Sequence, residues 1–270
     1  MAQHTGSAPP GHRRLGEPGC PCIEAEFDRY ASGYCAGMDH PIKRVVGRTA
    51  DDFIEVKVRW LLRDLVRSPL PERDSRLPIR ILDYGCGTGA FLKHLRRNRV
   101  SASLHGCDVS SAMLDEAYRS WTTGPVPKLE LIADGCAAYA DASFDIAILS
   151  SVLHHVAPSE RRSIFEAISR ILAPQGRLYV FEHNPFNPVT RWVVSHTAID
   201  TNAYLLTPAQ VRAHADKSGL IDLRTNYLLF FPPRWRCTRP LEYCLTRIPL
   251  GGQFMVCGTK PAATQPKKAP

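Results

Sequence analysis

Apolar residues in this chain recur in two rhythms that alternate along much of its length. Phe53, Val56, Trp60 and Leu61 return at helical spacing, with Asp51 or Asp52 placed to cap a helix over Phe53 to Val66 that Pro69 and Pro71 end. Short apolar runs then alternate with helical ones. Strands are predicted at Ile79 to Tyr84, Ser103 to Asp108, Leu129 to Ala133, Phe144 to Leu149 and Arg177 to Phe181. Helices are predicted at Thr88 to Arg97, at Ser110 to Trp121 with a Ser N-cap, and at Ser159 to Leu172. A helix at Pro208 to Ser218 and strands at Leu220 to Phe230 and Gln253 to Gly258 complete the pattern. Such alternation gives an α/β fold with a parallel sheet and helices on both faces. The runs at 144–149 and 177–181 are apolar on both sides, as strands covered twice require. The Asn- and Pro-rich stretch after Glu182 breaks the rhythm, so 183–206 is expected to be a substrate-loop insertion.

Composition adds boundaries. Residues 1–22 are rich in Gly, Pro and small polar residues and read as a disordered leader; 260–270 read as a disordered Pro/Lys tail. Between them, 23–78 is expected to form an N-terminal helical lid segment and 79–259 the main domain. The 270 residues are 44% hydrophobic and 22% charged, an ordinary globular balance. No apolar run approaches the roughly 20 residues a membrane-spanning helix needs. The start of the chain has no apolar signal segment, so a cytoplasmic location is expected, with the nine cysteines as reduced thiols. There is no CxxC pair and no metal-ligand spacing, so no metal is expected. The net charge of +8 lies partly in the tails and partly in Arg224, Arg234, Arg236, Arg239 and Arg247. It suits a solvated surface, an anionic substrate or peripheral membrane contact; no nucleic-acid-binding motif accompanies it.

The most informative run is Ile81-Leu82-Asp83-Tyr84-Gly85-Cys86-Gly87-Thr88-Gly89. Its glycines, between a strand and a helix, let a ligand approach backbone N–H groups. A nicotinamide dinucleotide is one candidate ligand. Asp83 favours another, because a carboxylate there repels a pyrophosphate and attracts an ammonium. S-adenosylmethionine carries an ammonium and no phosphate. Asp108 ends the second strand, where an acid binds both ribose hydroxyls. Asp134 follows the third, where it can accept from an adenine amino group, and Met113 is placed to cover the adenine face.

These residues resemble the class I S-adenosylmethionine-dependent methyltransferases, of the type 11 kind. The likeness runs over 79–182 through Gly106-Cys107-Asp108-Val109-Ser110, Ala133-Asp134-Gly135, Phe144-Asp145-Ile146-Ala147, Val152-Leu153-His154-His155-Val156 and Ile171-Leu172-Ala173-Pro174-Gln175-Gly176. In the last of these Gln175 stands where the family has glycine. Phe27-Asp28-Arg29-Tyr30-Ala31 and the Asn-Pro stretch after Phe181 look like a bacterial subgroup. The resemblance implies a Rossmann-like seven-stranded sheet whose last strand is antiparallel and inserts beside the fifth. It implies that Asp83, Gly85 and Gly87 hold the methionine end, with Cys86 in the same loop. Asp108, with Val109 beside it, holds the ribose, Asp134 and Gly135 meet the adenine, and Ser150 lines the methyl-transfer site.

Four residues near that site are candidate catalytic groups: His154, His155, Glu182 and His183. A base is required only where the acceptor loses a proton. The competing reading makes the histidines hydrogen-bonded structural groups. Trp192, Val193, Val194 and Tyr204 suggest a partly greasy acceptor pocket, and Tyr30 and Tyr34 a lid. The expected activity is methyl transfer to a small-molecule or lipid-like acceptor, with oxygen favoured. The alternatives are a non-catalytic nucleoside- or partner-binding protein, and a nicotinamide-dependent dehydrogenase. A nucleic-acid methyltransferase is disfavoured, because Ser150-Ser151-Val152 stands where an Asn/Asp-Pro-Pro motif would be.

Overall fold

The computed structural model describes residues 28, 50–71, 77–132, 139–200 and 202–262. The sequence expectations at 1–22, at Tyr30 and Tyr34, at Asp134 and Gly135 and beyond residue 262 lie outside them. The described elements run α1 (Ala50–Arg67), β1 (Ile79–Tyr84), α2 (Ala90–Arg97), β2 (Ala102–Asp108), α3 (Ser111–Arg119), β3 (Lys128–Leu131), β4 (Phe144–Ser150), α4 (Arg161–Ile171), β5 (Leu172–His183), α5 (Pro188–Ser195), α6 (Pro208–Lys217), β6 (Ile221–Leu228), α7 (Arg239–Cys244) and β7 (Gln253–Thr259). The strands make one sheet in the order β3-β2-β1-β4-β5-β7-β6. β1 to β5 pair in parallel, while β7 lies antiparallel between β5 and β6. This is the α/β sheet expected from the sequence, inserted last strand included.

Strand periodicity divides the core in two. Ile81, Ile146, Ile148, Tyr179, Phe181, Met255 and Cys257 pack on the side covered by α1 and α2. Their neighbours Leu82, Ala147, Leu149, Leu178, Val180, Phe254 and Val256 pack against α4 and α6. Because both faces are covered, ligand access is left to the edge formed by the strands' C-terminal ends.

The helix expected over Phe53 to Val66 begins at Ala50, so Asp51 and Asp52 lie inside its first turn rather than before it. Asp51 faces α2, with its carboxylate 3.1 Å from Arg97 and 3.4 Å from His94. At the other end, Asp64 takes both guanidinium nitrogens of Arg224 (2.9 and 3.1 Å) and the hydroxyl of Tyr179 (2.8 Å). Arg177 donates to the carbonyls of Ser68 and Pro69. Charged contacts thus fix α1 against the sheet along its length, which matters because α1 carries a lysine into the site. Gln175 adopts the left-handed conformation (φ 62°) that glycine takes without cost. Lys260 closes that corner, exchanging backbone hydrogen bonds with Gln175 and Gly176.

Candidate active site

β1 runs straight into the glycine loop. Gly85, Gly87 and Gly89 all have positive φ (75°, 50° and 71°). The loop is pinned underneath by the Gly85 and Cys86 N–H groups, which donate to the carbonyl of Cys107 on β2 (2.8 and 3.0 Å). A Cβ on Gly85 would sit 2.6 Å from Val152 Cγ2, whereas one on Gly87 would meet nothing within 4 Å. Gly85 therefore serves close packing and Gly87 faces open space. Gly85→Ala is expected to lower stability by about 1–3 kcal/mol through overpacking and left-handed strain, read from urea unfolding. Val152→Ala on the same chain should return part of that loss, and no loss at Gly85→Ala would contradict the packing.

Asp83 is 1% exposed, and its Oδ1 has no hydrogen-bond partner among the described residues. Burial first, and the charge of Asp108 second, push its carboxyl up to about 7, with Lys57 opposing. Asp108 accepts from the Gly87 N–H at 2.7 Å and the Ser110 N–H at 3.0 Å. Two N–H bonds leave further lone pairs on that carboxylate for hydroxyl donors. Ser110 caps α3 through the Met113 N–H, and its hydroxyl donates to Asp28 at 2.5 Å. Met113 is buried but belongs to neither core cluster. Cys86 packs its thiol against Gly106 in the core. Val109 is half-buried against the opposite cluster.

Residues 81–176 match the methyltransferase domain family. Over that span the chain is similar to class I, S-adenosylmethionine-dependent methyltransferase domains. Among relatives, the chain is 35% identical over 132 residues to a carboxy-S-adenosyl-L-methionine synthase of Aliivibrio fischeri, covering 44% of this chain and 52% of that one. It is 30% identical over 146 residues to a malonyl-[acyl-carrier protein] O-methyltransferase of Legionella pneumophila, covering 52% of this chain and 49% of that one. The match spans about half the length of each of these curated relatives. In fold it resembles a SAM-dependent methyltransferase of Thermotoga maritima, at 17% identity and a TM-score of 0.61, over 88% of this chain and all of the other. The described residues fit S-adenosylmethionine. A buried orphan carboxylate oxygen at Asp83 awaits a donor, Gly87 leaves room beside it, and Asp108 retains acceptor capacity.

At the same edge of the sheet, the four candidate catalytic residues come together. Glu182 Oε2 lies 2.5 Å from His154 Nδ1, and Glu182 Oε1 accepts the N–H groups of Val152 and Leu153 (3.1 and 2.8 Å). The ring of His155 lies against that of His154, tilted by 46° with centroids 4.1 Å apart, and His183 lies 5.0 Å from the same ring. Burial pushes His154 down, but Glu182 and Asp200 outweigh it and hold it up at about 9. Burial and then the charge of His154 push His155 to about 4 and His183 to about 3. For Glu182, burial is outweighed by the charge and hydrogen bond of His154, leaving it at about 2.

Two functional residues were not found from sequence. Asp200 ends a 3-10 turn (Ala198–Asp200), and its Oδ1 stands 3.6 Å from Nε2 of both His154 and His155. Lys57, 2% exposed on α1, donates to Ser151 Oγ at 2.6 Å and to Ser150 Oγ at 3.1 Å. A buried lysine on the apolar stripe of a helix was the available signal for Lys57. Asp200 offered none, lying in a segment without periodicity. A cleft of about 480 Å³ opens beside the cluster, its lining including Pro188, Trp192, Val194, Asp200 and Leu205. Of the residues expected to form a greasy pocket, Trp192 and Val194 line it; Val193 and Tyr204 do not. No described helix is long and apolar enough to cross a membrane.

Proposed function

We propose that this protein transfers a methyl group from S-adenosylmethionine to a small, partly apolar acceptor, most readily at oxygen. The observation that carries the cofactor half is the buried Asp83 oxygen, unpartnered among the described residues, on the strand that leads into the open face of Gly87. When bound, the cofactor supplies a methyl group on a sulfonium, a good leaving group. The protein's own work is orientation and proton handling. Asp83 receives the ammonium, the loop N–H groups the carboxylate, and Asp108 the ribose hydroxyls. Asp134 and Gly135 are assigned to the adenine by resemblance to the family. Lys57 fixes Ser150 and Ser151 at the end of β4, the strand beside β1. The cleft edged by Trp192 and Val194 is of a size to hold a small acceptor. We assign to His183, half-buried at the end of β5, the proton that a hydroxyl acceptor must lose; burial and the charge of His154 keep its imidazole neutral, the form a base requires. The O-methyltransferase among the relatives supports oxygen as the acceptor atom.

The test is calorimetric titration with S-adenosylhomocysteine, with NAD as control. Binding of the first alone is expected; binding of NAD alone would return the dehydrogenase reading. Its pH dependence is specific. An ammonium ligand needs Asp83 ionised, and protonation competes below about 7. Affinity should therefore fall as pH drops from 7 to 5, by up to about tenfold per unit. Asp83→Asn should bind weakly throughout and lose that slope. A slope that survives in Asp83→Asn would place the proton elsewhere. Once an acceptor is found, His183→Ala should cut kcat while leaving S-adenosylhomocysteine affinity unchanged, and full kcat would remove it from the chemistry.

A further inference from the structure

We infer that His154, His155 and Asp200 form a binding site for a zinc-like divalent transition-metal ion. Nε2 of His154, Nε2 of His155 and a carboxylate oxygen of Asp200 converge, all within 4.8 Å of one another. Each histidine nitrogen stands 3.6 Å from the same Asp200 oxygen. That is too long for a hydrogen bond. It is close to the separation of about 3.4 Å between two ligands that share a tetrahedral ion at about 2.1 Å. Closing the remaining separation between the two rings, whose ligand atoms lie within 4.8 Å of each other, completes the set.

The surroundings are those of a ligand shell. Glu182 holds His154 by Nδ1, which turns Nε2 toward Asp200. Carboxylate–imidazole–metal chains use this device to fix tautomer and orientation. Glu182 is itself held by two backbone N–H groups. Asp200 is held in place by its own turn, and the chain just beyond is tied back where the Tyr204 N–H donates to the His154 carbonyl at 2.8 Å. Asp200 and Glu182 together carry two negative charges, which balance a dication in a site where water is scarce. Two imidazoles and one carboxylate suit zinc, and also cobalt and nickel. Three protein ligands leave a fourth position open, and Asp200 lies in the cleft wall, so that position faces the cleft. The sequence pointed to no metal because the third ligand lies far along the chain from the histidine pair. The inference does not depend on methyl transfer, since the ion would bind whatever the cleft accepts.

The test is titration of full-length, chelator-treated protein with Co²⁺, followed by its visible absorption, and with Zn²⁺ by calorimetry. One Co²⁺ per chain, displaced by Zn²⁺, is expected. His155→Ala and Asp200→Asn should each weaken binding at least about tenfold, and Glu182→Gln by about 10–100-fold. His105→Ala, which alters a histidine on β2, should change nothing. Thermal unfolding checks that the variants fold; His155→Ala, on a partly exposed ring, decides the matter if Asp200→Asn does not. Wild-type protein that takes up no Co²⁺, or folded His155→Ala that binds it as tightly as wild type, would overturn the assignment.

Discussion

Asp108→Ala should weaken S-adenosylhomocysteine binding by about 100-fold, or about 2.7 kcal/mol. The carboxylate does two things at once. It accepts the Gly87 and Ser110 N–H groups, which ties the glycine loop to the start of α3. It also has lone pairs left for the two ribose hydroxyls. Hydrogen bonds to a charged group are worth about 1.5–3 kcal/mol each, so losing the hydroxyl pair, partly made up by water in the opened space, is enough to account for the expected change. The freed Gly87 N–H adds a loop-ordering cost that the ligand would then have to meet. Asp108→Asn retains one acceptor oxygen and should fall between alanine and wild type. Calorimetry on the three proteins separates the cases, and affinity within about threefold of wild type in Asp108→Ala would remove the ribose assignment.

Glu182→Ala should cost about 3–5 kcal/mol of folding stability in chelator-treated protein, the range for breaking a buried ion pair by removing one partner. Glu182 and His154 are each 1% exposed, with the imidazole held protonated against the carboxylate. Removing the carboxylate strands that imidazole and leaves the Val152 and Leu153 N–H groups without their acceptor. The two losses fall on the turn that leads from β4 toward α4. Glu182→Gln keeps an oxygen for the N–H groups and should cost less. Adding His154→Ala to Glu182→Ala should cost less than the sum of the single changes, because the stranded charge goes with it. Urea unfolding gives all four values, and strict additivity would show that the pair does not interact.

The sheet was legible because its strands are apolar on both sides and each run is bounded by Gly, Pro or polar residues. Ile79–Tyr84 was placed to the residue for that reason. β5 was predicted to begin at Arg177 but begins at Leu172, directly after α4, because Pro174 and Gln175 form an irregular corner that periodicity does not register. α7 was missed, being six residues long with Pro240 in its first turn. In the site, Asp83, the glycine loop and Asp108 were readable since each sits at a fixed distance from a strand end. Lys57 was not, although it shares a helix stripe with Trp60, Leu61 and Asp64. One polar residue on such a stripe reads as a solvated edge until the sheet beneath supplies Ser150 and Ser151 as its partners. Asp200 depends on a turn fixed by contacts distant in sequence, which no local pattern encodes.

The place of β7 bears on how the molecule is made. During synthesis β5 and β6 emerge with a strand-wide gap between them, since the strand that joins them is made after both. Until 253–259 arrive, both carry unpaired backbone edges, and the apolar side chains that Phe254, Met255, Val256 and Cys257 will cover remain open. Exposed edges of this kind invite pairing with other chains. A chain interrupted before Gln253 would therefore present a sticky, half-zipped sheet, and shielding of those edges by chaperones matters most until β7 is made.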